Sequence, residues 1–374
     1  MATRTSGTYS RKSETPDSRG QAVLSAIINE HLITGEPVGS RTISDRFAHA
    51  SGWSPATIRN VMAELEELGL VEQPHTSAGR VPTDKGYRYY VDHMLGEARL
   101  STADFAAINS LLGGLRGEGG STPDHLMERT SHLLSELSEN VGIVVSPSLA
   151  ENILQHIEFV RLADSRILVI LVSSSNIIQN KIVRIDEALN QEELDRTARY
   201  LNVEFSGKSL ATIRAEILEL MRHEKALYDK LLQNAILLCE RSLEGEEGAR
   251  GQVFVDGASN ILTKPDFMDT ERMRELFRTF EEKSRLVKIL NECMERDAQV
   301  GGRDVQVIIG RENITPSMQD CALITAPYRL GSGHAVGAIG VVGPMRIEYA
   351  RMMAVVHYVA RHIERIFWEE KAAD

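Results

Sequence analysis

The stretch 54–69 constrains this chain more than any other. Ser54-Pro55 supplies a helix cap and a first-turn proline, Ile58, Val61, Met62, Leu65 and Leu68 recur three and four residues apart, and Gly69 closes the pattern. A helix with so regular an apolar stripe must be covered by its neighbours, and the flanking sequence supplies them. Val23, Leu24, Ile27, Ile28 and Leu32 mark one face of an earlier helix that starts near Gln21 and ends at Thr34-Gly35-Glu36-Pro37. Ser40 can cap a short second helix carrying Ile43 and Phe47, with a break at Ser51-Gly52-Trp53. After the third helix, residues 70–72 and 81–82 read as two short strands around a polar loop, and Thr83 starts a further helix with Tyr87, Tyr90, Val91 and Met94 on one side. Three helices and a two-stranded ribbon within about 60 residues give a winged helix-turn-helix.

Such a unit reads DNA with the amino end of its third helix, and the residues there suit the task. Ala56, Thr57, Arg59 and Asn60 can offer a methyl contact to thymine, a bidentate pair to guanine and a bidentate pair to adenine, with Ser54 at the cap. Glu64, Glu66 and Glu67 follow on the same helix and would repel phosphate, so the first two turns alone should approach the groove. Ser40, Arg41 and Thr42 place hydroxyls, amides and one charge at a helix amino end, and His75, Thr76, Ser77, Gly79 and Arg80 do so in the wing. Each residue also has a plainer reading: Ser40 and Ser54 as caps, Arg59 as a solvated surface charge, the ribbon as a structural hairpin. Residues 1–95 carry 10 Lys+Arg against 11 Asp+Glu. That near-neutral balance keeps a protein-interaction adaptor open as an alternative. The net charge of −11 sits almost wholly in the remainder of the chain.

That remainder is mixed α and β. Residues 1–20 form a polar arm, with Arg4, Arg11, Lys12 and Arg19 as its basic residues. Residues 113–120 are a glycine-rich linker and not a phosphate loop, because no apolar strand precedes them. Strands are expected at 141–145, 153–162, 167–172 and 177–185, helices at 192–200, 210–222 and 224–243, and a charged break at 244–248. Helices at 270–280 and 281–294, strands at 305–309, 322–328 and 335–342, a turn at 331–333 and a long helix over 346–369 complete the chain. The three cysteines, Cys239, Cys293 and Cys321, are scattered and form no CxxC pair. There is no HExxH and no G-x-S-x-G. No enzyme activity, cofactor or metal site is therefore expected, and the absence of a long apolar run together with a polar start predicts a cytoplasmic protein.

Three stretches, LITGEPVGS at 32–40, SPATIRNVM at 54–62 and HTSAGRVPT at 75–83, closely resemble the HrcA family of heat-inducible transcription repressors. The resemblance continues more weakly through 84–92, GREN at 310–313 and AIGVVGP at 338–344. It implies a multidomain α+β fold made of a winged helix, a GAF-like α/β domain and an α+β dimerisation domain inserted into it; the pattern of elements places these at 21–95, at 104–148 and 249–369, and at 149–248. It also implies a homodimer on double-stranded DNA with an inverted repeat upstream of chaperone genes, modulated by the chaperonin GroEL. A GAF-like fold often encloses a pocket, so a regulator gated by a small ligand is the alternative within the binding class.

Overall fold

The computed structural model describes residues 15–47, 52–76, 78–96, 99–113, 123–147, 153–173, 178–185, 189–221, 234–235, 237–238, 252–267, 269–300, 304–329 and 336–372. Residues 1–14 of the expected arm, most of the glycine-rich linker, nearly all of the expected helix at 224–243, the break at 244–248, the turn at 331–333 and Ser77 lie outside them. The chain divides into two compact units.

The first unit holds Met1–Ala98 with Ile309–Ala322 and Pro344–Ala350. Its helices are α1 (Ser18–Thr34), α2 (Ser40–Phe47), α3 (Pro55–Glu67) and α4 (Asp84–His93), with strands β1 (Val71–Glu72) and β2 (Val81–Pro82). Helix α1 begins three residues earlier than the apolar stripe suggests, because Asp17 caps it by accepting from the Gly20 amide at 2.7 Å. It ends where Gly35 takes φ +71 and its amide donates to the His31 carbonyl. Ser54 caps α3 as expected, with Pro55 in the first turn, and Gly69 at φ +70 terminates it. The stripe Ile58, Val61, Met62 and Leu65 is buried with Val23, Leu24, Ile27, Ile28 and Ile43. Each such side chain contributes about 2 kcal/mol from burial, so helix propensity matters less here than the shared core.

The second unit contains two sheets. The five-stranded sheet runs β7 (Val253–Asp256), β3 (Val141–Val145), β10 (Val336–Pro344), β9 (Cys321–Arg329), β8 (Gln306–Ile309). Strand β3 is buried at every position and pairs antiparallel with both β10, Ile143 opposite Gly340, and β7, Ile143 opposite Val255. Helix α6 (Pro123–Ser138) lies so close over it that a Cβ at Gly142 would come within 2.2 Å of the Ser131 carbonyl. Strands β3 and β7 are neighbours although residues 146–252 separate them, so that whole segment is inserted into the sheet.

The insert has its own core. Strands β4 (Leu154–Arg161), β5 (Arg166–Ser173) and β6 (Ile178–Arg184) form an antiparallel meander, as the short polar connections suggested. Asp164 and Ser165 both adopt positive φ in the first hairpin, the mirror-image turn that matches the twist of two strands. Phe159, Val169 and Leu171 from one sheet face pack with Leu194, Leu201 and Phe205 of α7 (Gln191–Phe205), whose start carries a reciprocal cap between Asn190 and Glu193. Helix α8 (Leu210–Met221) follows. Beyond β7 come two short 3-10 turns, Ala258–Thr263 and Pro265–Phe267, then α9 (Thr270–Glu281), α10 (Lys283–Val300) and, after the strands, α11 (Tyr349–Ala372). Among the described residues no helix is long and apolar enough to cross a membrane.

Candidate nucleic-acid interface

The turn between α2 and α3 is braced from inside. The Ser44 hydroxyl donates to the Trp53 carbonyl at 2.8 Å, the Phe47 and Trp53 rings lie 5.0 Å apart, and the Arg19 guanidinium sits 5.4 Å over the indole. Arg19, read from sequence as part of the arm, is thus already in α1.

With the apolar stripe of α3 turned inward, Ala56, Arg59 and Asn60 are exposed together at its amino end, three and four residues apart. The exposed side chains of Arg59 and Asn60 make no hydrogen bond or ion pair with another described residue, which leaves their donors available. Ala63 is exposed one turn further along and adds no charge, a position that sequence reasoning passed over. Thr57 is half-buried and its hydroxyl is 3.0 Å from that of Ser54, which also accepts from the Thr57 amide. Ser54 and Thr57 are thereby engaged with each other as the helix cap. At the start of α2, Arg41 and Thr42 are exposed and Ser40 is half-buried.

The wing is shaped by residues that composition alone did not single out. Strand β1 pairs with β2, Val71 opposite Pro82 and Glu72 opposite Val81. The Gln73 amide donates to the carbonyls of Thr76 and Ala78, each at 3.0 Å, which folds the loop and leaves His75 and Thr76 exposed at its tip. Val38, in the connection between α1 and α2, exchanges both backbone bonds with Arg80 at 2.9 Å. Gly79 allows this approach, since a Cβ there would lie 2.4 Å from the Val38 carbonyl oxygen.

The Arg80 side chain is not a free charge. Its Nε donates to Glu66 Oε2 at 3.0 Å and its Nη2 lies 2.8 Å from the same oxygen, with 18% of the side chain exposed. The sequence suggested a phosphate contact for Arg80 and phosphate repulsion for Glu66; the structure joins the two, tying the last turn of α3 to the wing. Glu64 and Glu67 are exposed further along the same helix.

Among the described residues no group of three or more His, Cys, Asp or Glu could hold a metal. The buried Cys321 thiol is pushed up to about 12 by desolvation and by Asp320, so it carries no thiolate at neutral pH.

Two family models cover most of the chain: the winged helix-turn-helix transcription repressor, HrcA DNA-binding model matches residues 18–93, and the HrcA protein C-terminal domain model matches 124–353. A heat-inducible transcription repressor HrcA of Geobacter sulfurreducens is 43% identical over 348 residues, 93% of this chain and 97% of that protein. The same-named protein of Syntrophobacter fumaroxidans is 37% identical over 353 residues, 94% and 97% of the two chains. The crystal structure of a hypothetical protein shares the fold, with a TM-score of 0.60 at 22% identity over 95% of this chain and 99% of that one. From its winged helix through its C-terminal sheets, this chain belongs to the HrcA family of heat-inducible transcription repressors.

Proposed function

We propose that this protein is the cytoplasmic negative regulator of heat-shock transcription at chaperone operons, binding an inverted-repeat operator as a homodimer with its active fraction modulated by GroEL. The observation that carries the reading is the exposed group Ala56, Arg59 and Asn60 at the amino end of α3, together with the exposed Arg41 and Thr42 of α2 and the exposed wing tip at His75 and Thr76. Arg59 and Asn60 read base edges. Ser40, Arg41, Thr42 and the wing tip, with Ser77, hold backbone phosphates and so fix the register. Gly79, the cap residues Ser54 and Thr57, and Arg80 shape the surface that carries them.

The five-stranded sheet and its helices form the GAF-like domain, at 104–148 and 249–369, and the insert at 149–248 supplies the dimer. The departure of the chain at Val145 and its return beside it at Val253 support that division. A two-fold dimer presents two reading heads related by symmetry, so its site must be palindromic. Selection of bound duplexes from a randomised pool tests this. The expected outcome is an inverted repeat of two half-sites; a pool that stays unselected, or that yields one unrepeated site, contradicts the proposal.

A further inference from the structure

The compact unit containing the winged helix is completed by two distant segments: Ile309–Ala322, which joins β8 to β9, and Pro344–Ala350, which joins β10 to α11. Here two of the three weaker family-like stretches, 84–92 and 310–313, meet. From α4, Arg88 Nε donates to Glu312 Oε1 at 2.7 Å while Nη2 donates to Oε2, the paired fork that fixes direction as well as energy. Glu312 is itself held, accepting from the Ile309 amide at 2.9 Å. One turn earlier on α4, Asp84 accepts from the Arg311 amide at 2.9 Å. Gly310 makes that approach possible: it has φ +54, and a Cβ there would lie 2.4 Å from the Asp84 carboxylate. Between the two contacts, the Tyr87 ring lies 5.8 Å from that of Tyr349, whose buried hydroxyl donates to the Met345 carbonyl.

An apolar contact alone would bury this side of α4 and let it slide. Two charged contacts one turn apart, one of them bidentate, specify its rotation and its position along its axis. Helix α4 follows β2 after a single residue, Thr83, which caps it and also donates to the Gly69 carbonyl just beyond α3. Its orientation is therefore that of the wing and the recognition helix.

We propose that Asp84, Arg88 and Glu312 are positioning residues for operator recognition: they clamp each reading head to the chain connections at 309–322 and 344–350, and so restrict the dimer to one half-site spacing. The proposal rests on the reading of the protein as a dimeric repressor. With the head clamped, the second half-site is engaged intramolecularly only when it lies where the head already points; unclamped heads accept many spacings, each at a lower effective concentration.

The test uses the full chain and its Arg88→Met, Glu312→Gln and Arg88→Lys variants. Each is titrated on palindromic duplexes whose half-sites are separated by different spacers, and on a duplex with a single half-site. The parent should prefer one spacer sharply. Arg88→Met and Glu312→Gln should lose roughly tenfold at that spacer, bind the others almost as well, and keep the parent's weak single-half-site affinity. Arg88→Lys keeps the charge without the fork and should recover part of the preference, which separates loss of orientation from loss of fold. Variants that retain the parent's spacing profile overturn the clamp, as does an equal loss on the single half-site. A parent that binds every spacing and a scrambled duplex alike overturns the repressor reading itself, and with it the clamp.

Discussion

Arg59 and Arg80 stand beside the same helix in opposite electrostatic states, and the difference decides what each does. Arg59 is exposed and free of described partners, whereas the Arg80 guanidinium is spent on Glu66 and its backbone on Val38. Arg59→Ala should cost about 1–3 kcal/mol on the operator and almost nothing on scrambled DNA, since only the correct base rewards a bidentate contact. Equal losses on both duplexes in a direct titration would take base reading away from Arg59. Arg80→Gln should weaken binding by loosening the wing, yet leave the slope of log affinity against log salt unchanged. A residue that neutralises a phosphate would lower that slope by about 0.9 on replacement. The exposed residues of α3 were legible in the sequence because a period of 3.6 places them opposite a clear stripe. The partner of Arg80 was not, since Glu66 is fourteen residues away and nothing in spacing says that the wing folds back onto the end of α3.

At the scale of elements, α5 (Thr102–Gly113) and α11 are joined by an ion pair whose acid is buried and whose base is half-exposed. Arg351 donates through Nε and Nη2 to Asp104, whose side chain is 5% exposed, and Ser101 donates to the same carboxylate. Hydrogen bonding to Arg351, against an opposing effect of burial, holds the Asp104 carboxyl below its ordinary value of 3.8. The folded form therefore binds that proton less readily than the unfolded chain. The pair stabilises fully above the ordinary value and loses its contribution as pH falls through the depressed one. Asp104→Asn should cost about 1.5 kcal/mol at neutral pH, a modest figure because Arg351 is half-exposed and screened. The difference from the parent should shrink in acid; denaturant melts that keep a constant difference at every pH would contradict this.

The same scale shows where the pattern of the sequence ran out. Helices announced by a cap and a terminating glycine, such as α3, were found where expected, as was the meander β4–β6 with its alternating faces. Strand β7 was missed. It has four residues and owes its existence to pairing with β3, more than a hundred residues away, which no local period records.

For the whole molecule, charge and connectivity matter together. The acidic excess lies outside residues 1–95, so the bulk of the chain repels DNA while the near-neutral head can approach it. That head is not closed on itself: α4 is seated on Glu312 and Arg311, residues that the chain reaches only after building β8. Loss of order at the end of that sheet would remove the seat, and the fraction of binding-competent protein, and with it apparent affinity, would fall. Under the proposed function, chaperonin would sustain that fraction.

The most direct measurement is a titration, at fixed salt, of freshly refolded protein with and without chaperonin, on an inverted repeat from a chaperone promoter and on a scrambled duplex of equal length. Tight binding to the inverted repeat alone is expected, with chaperonin raising the active fraction and leaving the affinity of active protein unchanged. Equal binding to the two duplexes, or none to either, would contradict the proposed function.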